Sequence, residues 1–216
     1  MRKIKVSCAP SVRRLPSYLL VARQAARNGD EFVSGTRIAA ELDLEPIQVR
    51  KDLAITGASG KPKRGYLTSS LVRAIEDFLG WSEATDVVVV GVGCLGSALM
   101  GYPTFRMHGL RIVDAFDPDP AKHGGEVSGI VVHPVEKLVE RVRAAGIRVA
   151  ILTTPSTAAQ AAADRLVEAG VDAIWNFTTA RLRVPTNVIV QNEDLTAGYA
   201  ILSIRRRLRR KPGIDS

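Results

Sequence analysis

Cysteine is scarce in this chain: two in 216 residues, Cys8 and Cys94, 86 positions apart. One such pair cannot make a disulfide framework, and no C-x-x-C or His/Cys cluster offers zinc ligands, so stapled secreted folds and zinc folds are excluded. The usage fits a reducing cytosol. Long apolar runs are missing too, and none approaches the ~20 residues needed to span a bilayer. The N-terminus, Met1-Arg2-Lys3-Ile4-Lys5, is basic, but no apolar stretch of about 7–15 residues follows, so it does not read as a signal peptide. Histidine is limited to His108, at a helix end, His123, in a loop, and His133, at a strand end. None stands in a constellation with a carboxylate, and a dehydrogenase needs a group that exchanges the substrate proton. The expectation is a protein with no catalytic residues, no metal and no membrane partner.

Positive charge is what the chain has in excess: 30 Lys+Arg against 22 Asp+Glu, net +8. Residues 1–82 carry net +6, residues 83–200 net −3, and residues 201–216 net +5. A basic head on a mildly acidic body points to a polyanion partner for the head. Residues 10–80 show helical periodicity, with Leu15, Leu19 and Ala22 on one face and Ile38 and Leu42 on another. From Asp86 onward, β-branched runs (86–90, 110–116, 130–133, 148–152, 171–175, 188–190) alternate with helical stretches near 97–107, 135–145, 156–169 and 195–210. That alternation predicts a doubly wound parallel sheet. The Arg-rich run from Arg205 to Lys211 closes the last helix, with Pro212-Gly213 as its stop.

In the basic head, Ser34 caps a short helix, Asp43-Leu44 turns, and Glu45-Pro46 opens a second helix. The second helix carries Gln48, Arg50 and Lys51, with Ile47, Val49 and Leu53 placed to pack inward. This is a helix-turn-helix pattern, in which Gln can read adenine and Arg or Lys can read guanine or hold a phosphate. The following stretch to Tyr66, with Lys61, Lys63 and Arg64 at its tip, predicts the hairpin wing of a winged helix.

In the body, the strand Asp86–Val90 runs into Gly91-Val92-Gly93-Cys94-Leu95-Gly96 and then a helix. This is G-x-G-x-x-G in its strand–turn–helix context. Gly91 permits the turn, Gly93 lets a pyrophosphate approach, and Gly96 lets helix and strand pack. Cys94 is expected to pack. Asp117 lies 21 residues beyond Gly96, where a carboxylate bonds the adenosine ribose and repels a 2′-phosphate, which favours NAD(H) over its phosphorylated form. Another nucleotide such as coenzyme A stays open as a ligand, as does an NAD-dependent oxidoreductase whose basic domain only mediates assembly. A nucleotide site without catalytic equipment, joined to a DNA-binding head, reads as a sensor.

The sequence at this point resembles the Rex family of redox-sensing transcriptional repressors. The resemblance rests on Gln48-Val49-Arg50-Lys51-Asp52-Leu53, Gly91–Gly96, Tyr102-Pro103-x-Phe105, Ala115-Phe116-Asp117-x-Asp119-Pro120, Ile151-Leu152-Thr153-x-Pro155, Asn176-Phe177 and Asn192-x-Asp194-Leu195. It implies a homodimer that binds double-stranded operator DNA when NADH is scarce and releases it when NADH binds. It also implies a winged-helix domain at 1–82, a Rossmann NAD(H) domain at 83–194, and a C-terminal swapped helix and basic tail at 195–216. By the same resemblance Tyr102 lies by the nicotinamide, Thr153, Thr154 and Pro155 line the pocket with Asn176 and Phe177, and Asp194 and Leu195 arrive from the partner. Some positions depart from the family pattern. Ala54-Ile55-Thr56-Gly57 follows the recognition helix in place of Ser-Tyr-Phe-Gly, Thr178-Thr179 replaces Ala-Pro, and the wing carries Lys61-Pro62-Lys63-Arg64. Leu20 stands where the family has an Arg that pairs with the partner's aspartate; Arg23, one turn on, is the expected substitute.

Overall fold

A computed structural model describes residues 9–209; Cys8, Arg210, Lys211 and the Pro212-Gly213 stop lie outside the described residues. The chain divides into two compact units, one ending at Ala84 and the other beginning at Thr85.

In the first unit, α1 (Ala9–Arg27) packs against α4 (Thr68–Leu79), α3 (Pro46–Ala54) and α2 (Gly35–Glu41), while β1 (Phe32–Val33) pairs antiparallel with β2 (Tyr66–Leu67). Leu15, Leu19 and Ala22 form one stripe of α1 and are fully buried with Ile38, Val49, Leu53 and Ile75. Ser34 caps α2, its Oγ accepting the Arg37 N–H at 3.0 Å. Asp43 makes the turn in the left-handed region (φ 53°), and Pro46 opens α3 where its missing N–H costs nothing. Ile47 departs from expectation: it is 58% exposed. Val49 and Leu53 set the inward face, and two residues at 100° each turn Ile47 to the opposite side of α3.

What locks α3 to α1 is a polar knot. Asp52, on the inner face of α3, is 1% exposed. Its carboxylate accepts Arg14 Nε and Nη2 (2.7 and 3.0 Å), the Tyr18 hydroxyl (2.7 Å) and Gln48 Nε2 (3.0 Å). Burial would push the carboxyl up, but these donors outweigh it and hold it well below the usual carboxylate range. Burial and the bond to Asp52 push the Tyr18 hydroxyl up to about 12.

The second unit is a seven-stranded sheet in the order β5-β6-β4-β3-β7-β8-β9. The strands are β3 (Thr85–Val90), β4 (Leu110–Asp117), β5 (Glu126–Val127), β6 (Ile130–Pro134), β7 (Val149–Leu152), β8 (Ala173–Asn176) and β9 (Ile189–Asn192). All pairs are parallel except the β5–β6 hairpin at one edge. Without β5, the order is the doubly wound 3-2-1-4-5-6 arrangement, whose direction reverses between β3 and β7. β3 shows why this sheet is covered on both faces. Val88 and Val90 join one core cluster and Val87 and Val89 the other, so the valine run buries every side chain.

Helices α5 (Cys94–Met100), α6 (Pro103–Met107), α7 (Leu138–Ala144), α8 (Ser156–Glu168) and α9 (Thr196–Arg209) complete the unit. The single helix expected near 97–107 is two, because Gly101 ends α5 and Pro103, which cannot continue a helix, starts α6. The helix expected from 135 begins as a 3₁₀ turn at Val135–Lys137 before α7. α9 buries none of its residues; Tyr199, Ile201, Leu202, Ile204 and Leu208 are all more than half exposed.

Replacing Asp52 by Ala leaves the Tyr18 hydroxyl and the Arg14 guanidinium without their acceptor, and about 3 kcal/mol of stability should be lost in denaturant melts. Because the folded pKa of Asp52 is depressed, the unfolded chain binds the extra proton. The knot's contribution should therefore be present above about pH 4–5 and fall away as pH drops below it. Thermal melts across that range should be flatter for the Asp52→Ala variant.

Candidate functional site

The carboxyl ends of the parallel strands converge at the reversal point, the usual ligand crevice of such sheets. β3 ends in Gly91, whose φ of 98° suits only glycine and whose absent Cβ would stand 2.8 Å from the Thr153 carbonyl carbon on the neighbouring strand end. Thr153 closes the seam from β7: its N–H donates to Val90 O (2.9 Å) and its hydroxyl to Gly91 O (2.6 Å). A Cβ on Gly96 would lie 2.0 Å from the Gly91 carbonyl oxygen, so α5 reaches the strand only because residue 96 has none. Gly93 is different. A Cβ there would meet nothing within 4 Å, so this glycine keeps space open on the solvent side of the loop, where the first turn of α5 presents its N–H groups.

Asp117, at the end of β4, is buried beside this loop. It accepts the Val92 N–H (2.7 Å), the Asp119 N–H (2.9 Å) and an ion pair from Lys122 Nζ (3.0 Å). Burial raises its pKa, yet the two N–H donors and the ammonium outweigh it, so the carboxyl stays below the usual range and charged at neutral pH. Val92 and Lys122 also line a cavity of about 330 Å³ with Ser97, Gly125 and Val127. Thr154 contributes a buried hydroxyl that finds no partner, next to the Gly91 turn. Open space at Gly93, an ionised carboxylate beside the loop and an unpaired hydroxyl at the strand end fit a dinucleotide.

The other expected cofactor residues spread out. Tyr102 is exposed, caps α6 and meets Phe105 edge-on at 5.1 Å; Phe105 neighbours Trp175 (5.5 Å), which neighbours Phe177 (4.9 Å). Pro155 is exposed at the start of α8. Leu95, in the first turn of α5, is half-buried, and Cys94 is exposed rather than packed, since the first residue of α5 faces outward from the loop. Asn176 is fully buried, and its amide is spent inside the protein. Nδ2 donates to Ala180 O and Asn192 Oδ1, and Oδ1 accepts from the Thr178 N–H and hydroxyl. It shapes the loop after β8 and has no surface to offer a ligand; Thr178 is part of the same knot. Asp194 and Leu195 are exposed and share a cavity of about 560 Å³ with Phe177. Thr196, through its hydroxyl and its N–H (2.6 and 2.8 Å), lowers the Asp194 pKa while the carboxylate leads into α9. One chain thus brings the glycine loop, Asp117, Thr153 and Thr154 together; Phe177, Asp194 and Leu195 share a second cavity, and Tyr102 stands at the far end of the row of rings that runs through Phe105 and Trp175 to Phe177. Arg23 pairs with Glu76 of α4 (2.7 Å) and is held within its own unit, so the substitute for the family arginine is already occupied.

In the first unit, Gln48, Arg50 and Lys51 are exposed on α3, and Gln48 is oriented by its bond to Asp52. A tight loop follows. The Lys61 N–H donates to Gly65 O (2.6 Å), Lys63 sits at φ 62°, and Lys61, Lys63 and Arg64 are exposed. Arg50, Lys61 and Lys63 face one groove of about 510 Å³. Tyr66 is half-buried at the groove floor, its ring against Gly35 and Gly60, and burial raises its hydroxyl pKa. Lys122, Trp175 and the Asp52 knot were not legible as site features. Lys122 alone had a signal, three residues after Asp119 in a turn.

A helix-turn-helix head with a cationic wing, followed by a Rossmann unit with a dinucleotide-type loop, defines a nucleotide-responsive DNA-binding regulator. Family profiles match both parts: "Putative DNA-binding protein N-terminus" over residues 5–54 and "CoA binding domain" over residues 82–180. A redox-sensing transcriptional repressor Rex from Treponema denticola is 52% identical over 204 residues, covering 94% of this chain and 97% of that protein. The Rex repressor of Bacteroides thetaiotaomicron is 36% identical, over 89% of this chain and 88% of its own length. Among solved structures, the Rex-family repressor RSP in complex with β-NAD⁺ and operator DNA matches with a TM-score of 0.86 at 31% identity, covering 96% of this chain and 95% of that one. RSP in complex with β-NADH matches at 0.85 and 28%, covering 95% and 97%. The chain belongs to the Rex family of redox-sensing transcriptional repressors.

The two glycines should part company under mutation. Gly93→Ala fills open space and should leave the melting temperature within a few degrees of the parent, while NADH affinity by calorimetry falls at least tenfold. Gly96→Ala forces a backbone clash and should cost several kcal/mol of stability as well. Asp117→Ala should weaken NADH without changing DNA affinity measured in its absence.

Proposed function

We propose that the two units work as one switch, the first holding double-stranded operator DNA and the second binding NAD(H). In this reading residues 1–82 grip DNA through Gln48, Arg50 and Lys51 of α3 and through Lys61, Lys63, Arg64 and Tyr66 of the wing. Residues 83–194 hold the nucleotide, its pyrophosphate over Gly91–Gly96 and its ribose at Asp117. The observation that carries it is the open cradle at Gly93 beside an ionised, buried Asp117.

Release of DNA requires that NADH bind the DNA-incompetent state more tightly, since only a difference in affinity between states shifts their populations. The oxidised nicotinamide is cationic and the reduced ring neutral, which gives the site a charge to discriminate. The coenzyme A profile shares the pyrophosphate of this reading and parts from it at the ribose, where coenzyme A carries a phosphate that Asp117 repels. In this reading the nucleotide is bound as a signal and is not turned over.

In this reading α9 (Thr196–Arg209) carries the homodimer contact. A 14-residue helix is marginal in water by itself. Ile201, Ile204 and Leu208 follow helical spacing and bury their apolar stripe on a second copy. Among the described residues no helix is long and apolar enough to cross a membrane.

Fluorescence anisotropy on a labelled duplex, selected by this protein from a randomised pool, tests the switch. NADH should release the DNA and NAD⁺ should not; equal affinity at every NADH:NAD⁺ ratio would refute it. Light scattering should give a dimer that becomes a monomer when the chain is cut after residue 194.

A further inference from the structure

We propose that Phe32 is a positioning residue for DNA binding: its ring holds Lys61 and Arg64 of the wing in place while leaving their charges free for phosphate. The inference rests on the wing touching DNA, as proposed above.

The wing packs three cations, Lys61, Lys63 and Arg64, into four residues, and like charges at this spacing repel. The backbone of the loop is tight. Besides the Lys61–Gly65 bond, the Gly65 and Arg64 N–H groups both donate to Lys61 O, at 3.0 and 3.2 Å. Backbone closure fixes the loop's path, not the direction of long, exposed side chains. Phe32 supplies that direction. It lies on β1, in register with Leu67 of β2, so its ring is carried by the ladder at the base of the wing. Arg64 Cζ stands 4.2 Å from the ring centroid and Lys61 Nζ 5.5 Å, both within cation–π range.

The chemistry of the anchor matters. Among the described residues the carboxylate paired with these cations is Glu31, 3.8 Å from Arg64 with both side chains mostly exposed, an arrangement that contributes little in water. A carboxylate clamp would also cancel the charge that a phosphate must meet. An aromatic face attracts the cation through its quadrupole and carries no net charge, so the guanidinium and the ammonium keep their full charge toward DNA. Nothing in the helix-turn-helix pattern assigns this role to Phe32, which reads as an ordinary strand residue.

The experiment is a double-mutant cycle in the full-length protein, read as Kd for the selected duplex by anisotropy at two or more salt concentrations. Phe32→Leu keeps apolar bulk and removes the π face; it should weaken DNA binding about two- to fivefold for each cation released. Phe32→Trp should restore or improve binding. In a Lys61→Ala/Arg64→Ala background, Phe32→Leu should have no further effect. Melting curves taken alongside separate loss of folding from loss of positioning, and the Trp variant keeps the test open if Leu destabilises the unit. A Phe32→Leu loss that persists unchanged in the Lys61→Ala/Arg64→Ala background, or a Trp variant as weak as Leu, would overturn the proposal. If Lys61→Ala/Arg64→Ala itself leaves Kd and salt slope untouched, the wing is not at the DNA and both readings fall. If it weakens binding while Phe32→Leu does not, only the role of Phe32 is lost.

Discussion

Two strand ends and a helix of the second unit are held together by contacts that tolerate no side chain. The Gly91 carbonyl stands where a Cβ on Gly96 would be, and the absent Cβ of Gly91 itself leaves room for the backbone of Thr153. The first helix can therefore sit directly against β3, and β7 can close against the turn from the other side. Everything the crevice offers follows from that closeness. Asp117 reaches the loop to accept the Val92 N–H, Thr153 seals the seam with its hydroxyl, and Thr154 is left with a buried hydroxyl unpaired. Because Gly91 and Gly96 are consumed by packing, Gly93 alone is free to make space for a ligand.

The first unit depends on a different kind of contact, electrostatic and side chain to side chain. Asp52 sits on the inner face of the helix whose outer face carries Gln48, Arg50 and Lys51. Two bonds from Arg14 and one from Tyr18 bind it to α1. The bond from Gln48 then runs from this buried anchor to the exposed face. A carboxylate only accepts, so it must face the amide nitrogen, and the Gln48 carbonyl is turned elsewhere. The stability of the unit and the orientation of a candidate base-reading side chain are thus set by one buried charge. Fold and recognition cannot be tuned independently there.

Much of this was legible because local rules suffice. The Ser34 cap, the Asp43 turn, Pro46 at the head of α3 and the glycine spacing before α5 each depend on residues within a few positions of one another. The failures are equally local in cause. Ile47 was placed inward because it is apolar, and helical phase overruled composition. The helix near 97–107 was read through Gly101 and Pro103, which end one helix and begin another. Cys94 was expected to pack because a thiol usually does, and the first residue of α5 turns it to solvent. Four hydrogen bonds spend the Asn176 amide on the loop after β8, a use that no local rule indicates.

The kind of protein is written in its residues: a basic helix-turn-helix head, a mildly acidic doubly wound body, and a glycine loop with its acidic partner at the right spacing. Those features are short-range or periodic, and periodicity survives without coordinates. Which residues meet is a property of the folded chain. Arg14 and Asp52 are 38 positions apart, Val92 and Asp117 are 25 apart, and no spacing rule pairs the former. Arg23 looked available until α4 brought Glu76 to it, and Phe32, which no motif marks, has two cations of the wing folded over its ring. Long-range pairing depends on how helices and strands pack in space, and packing is decided by the whole chain.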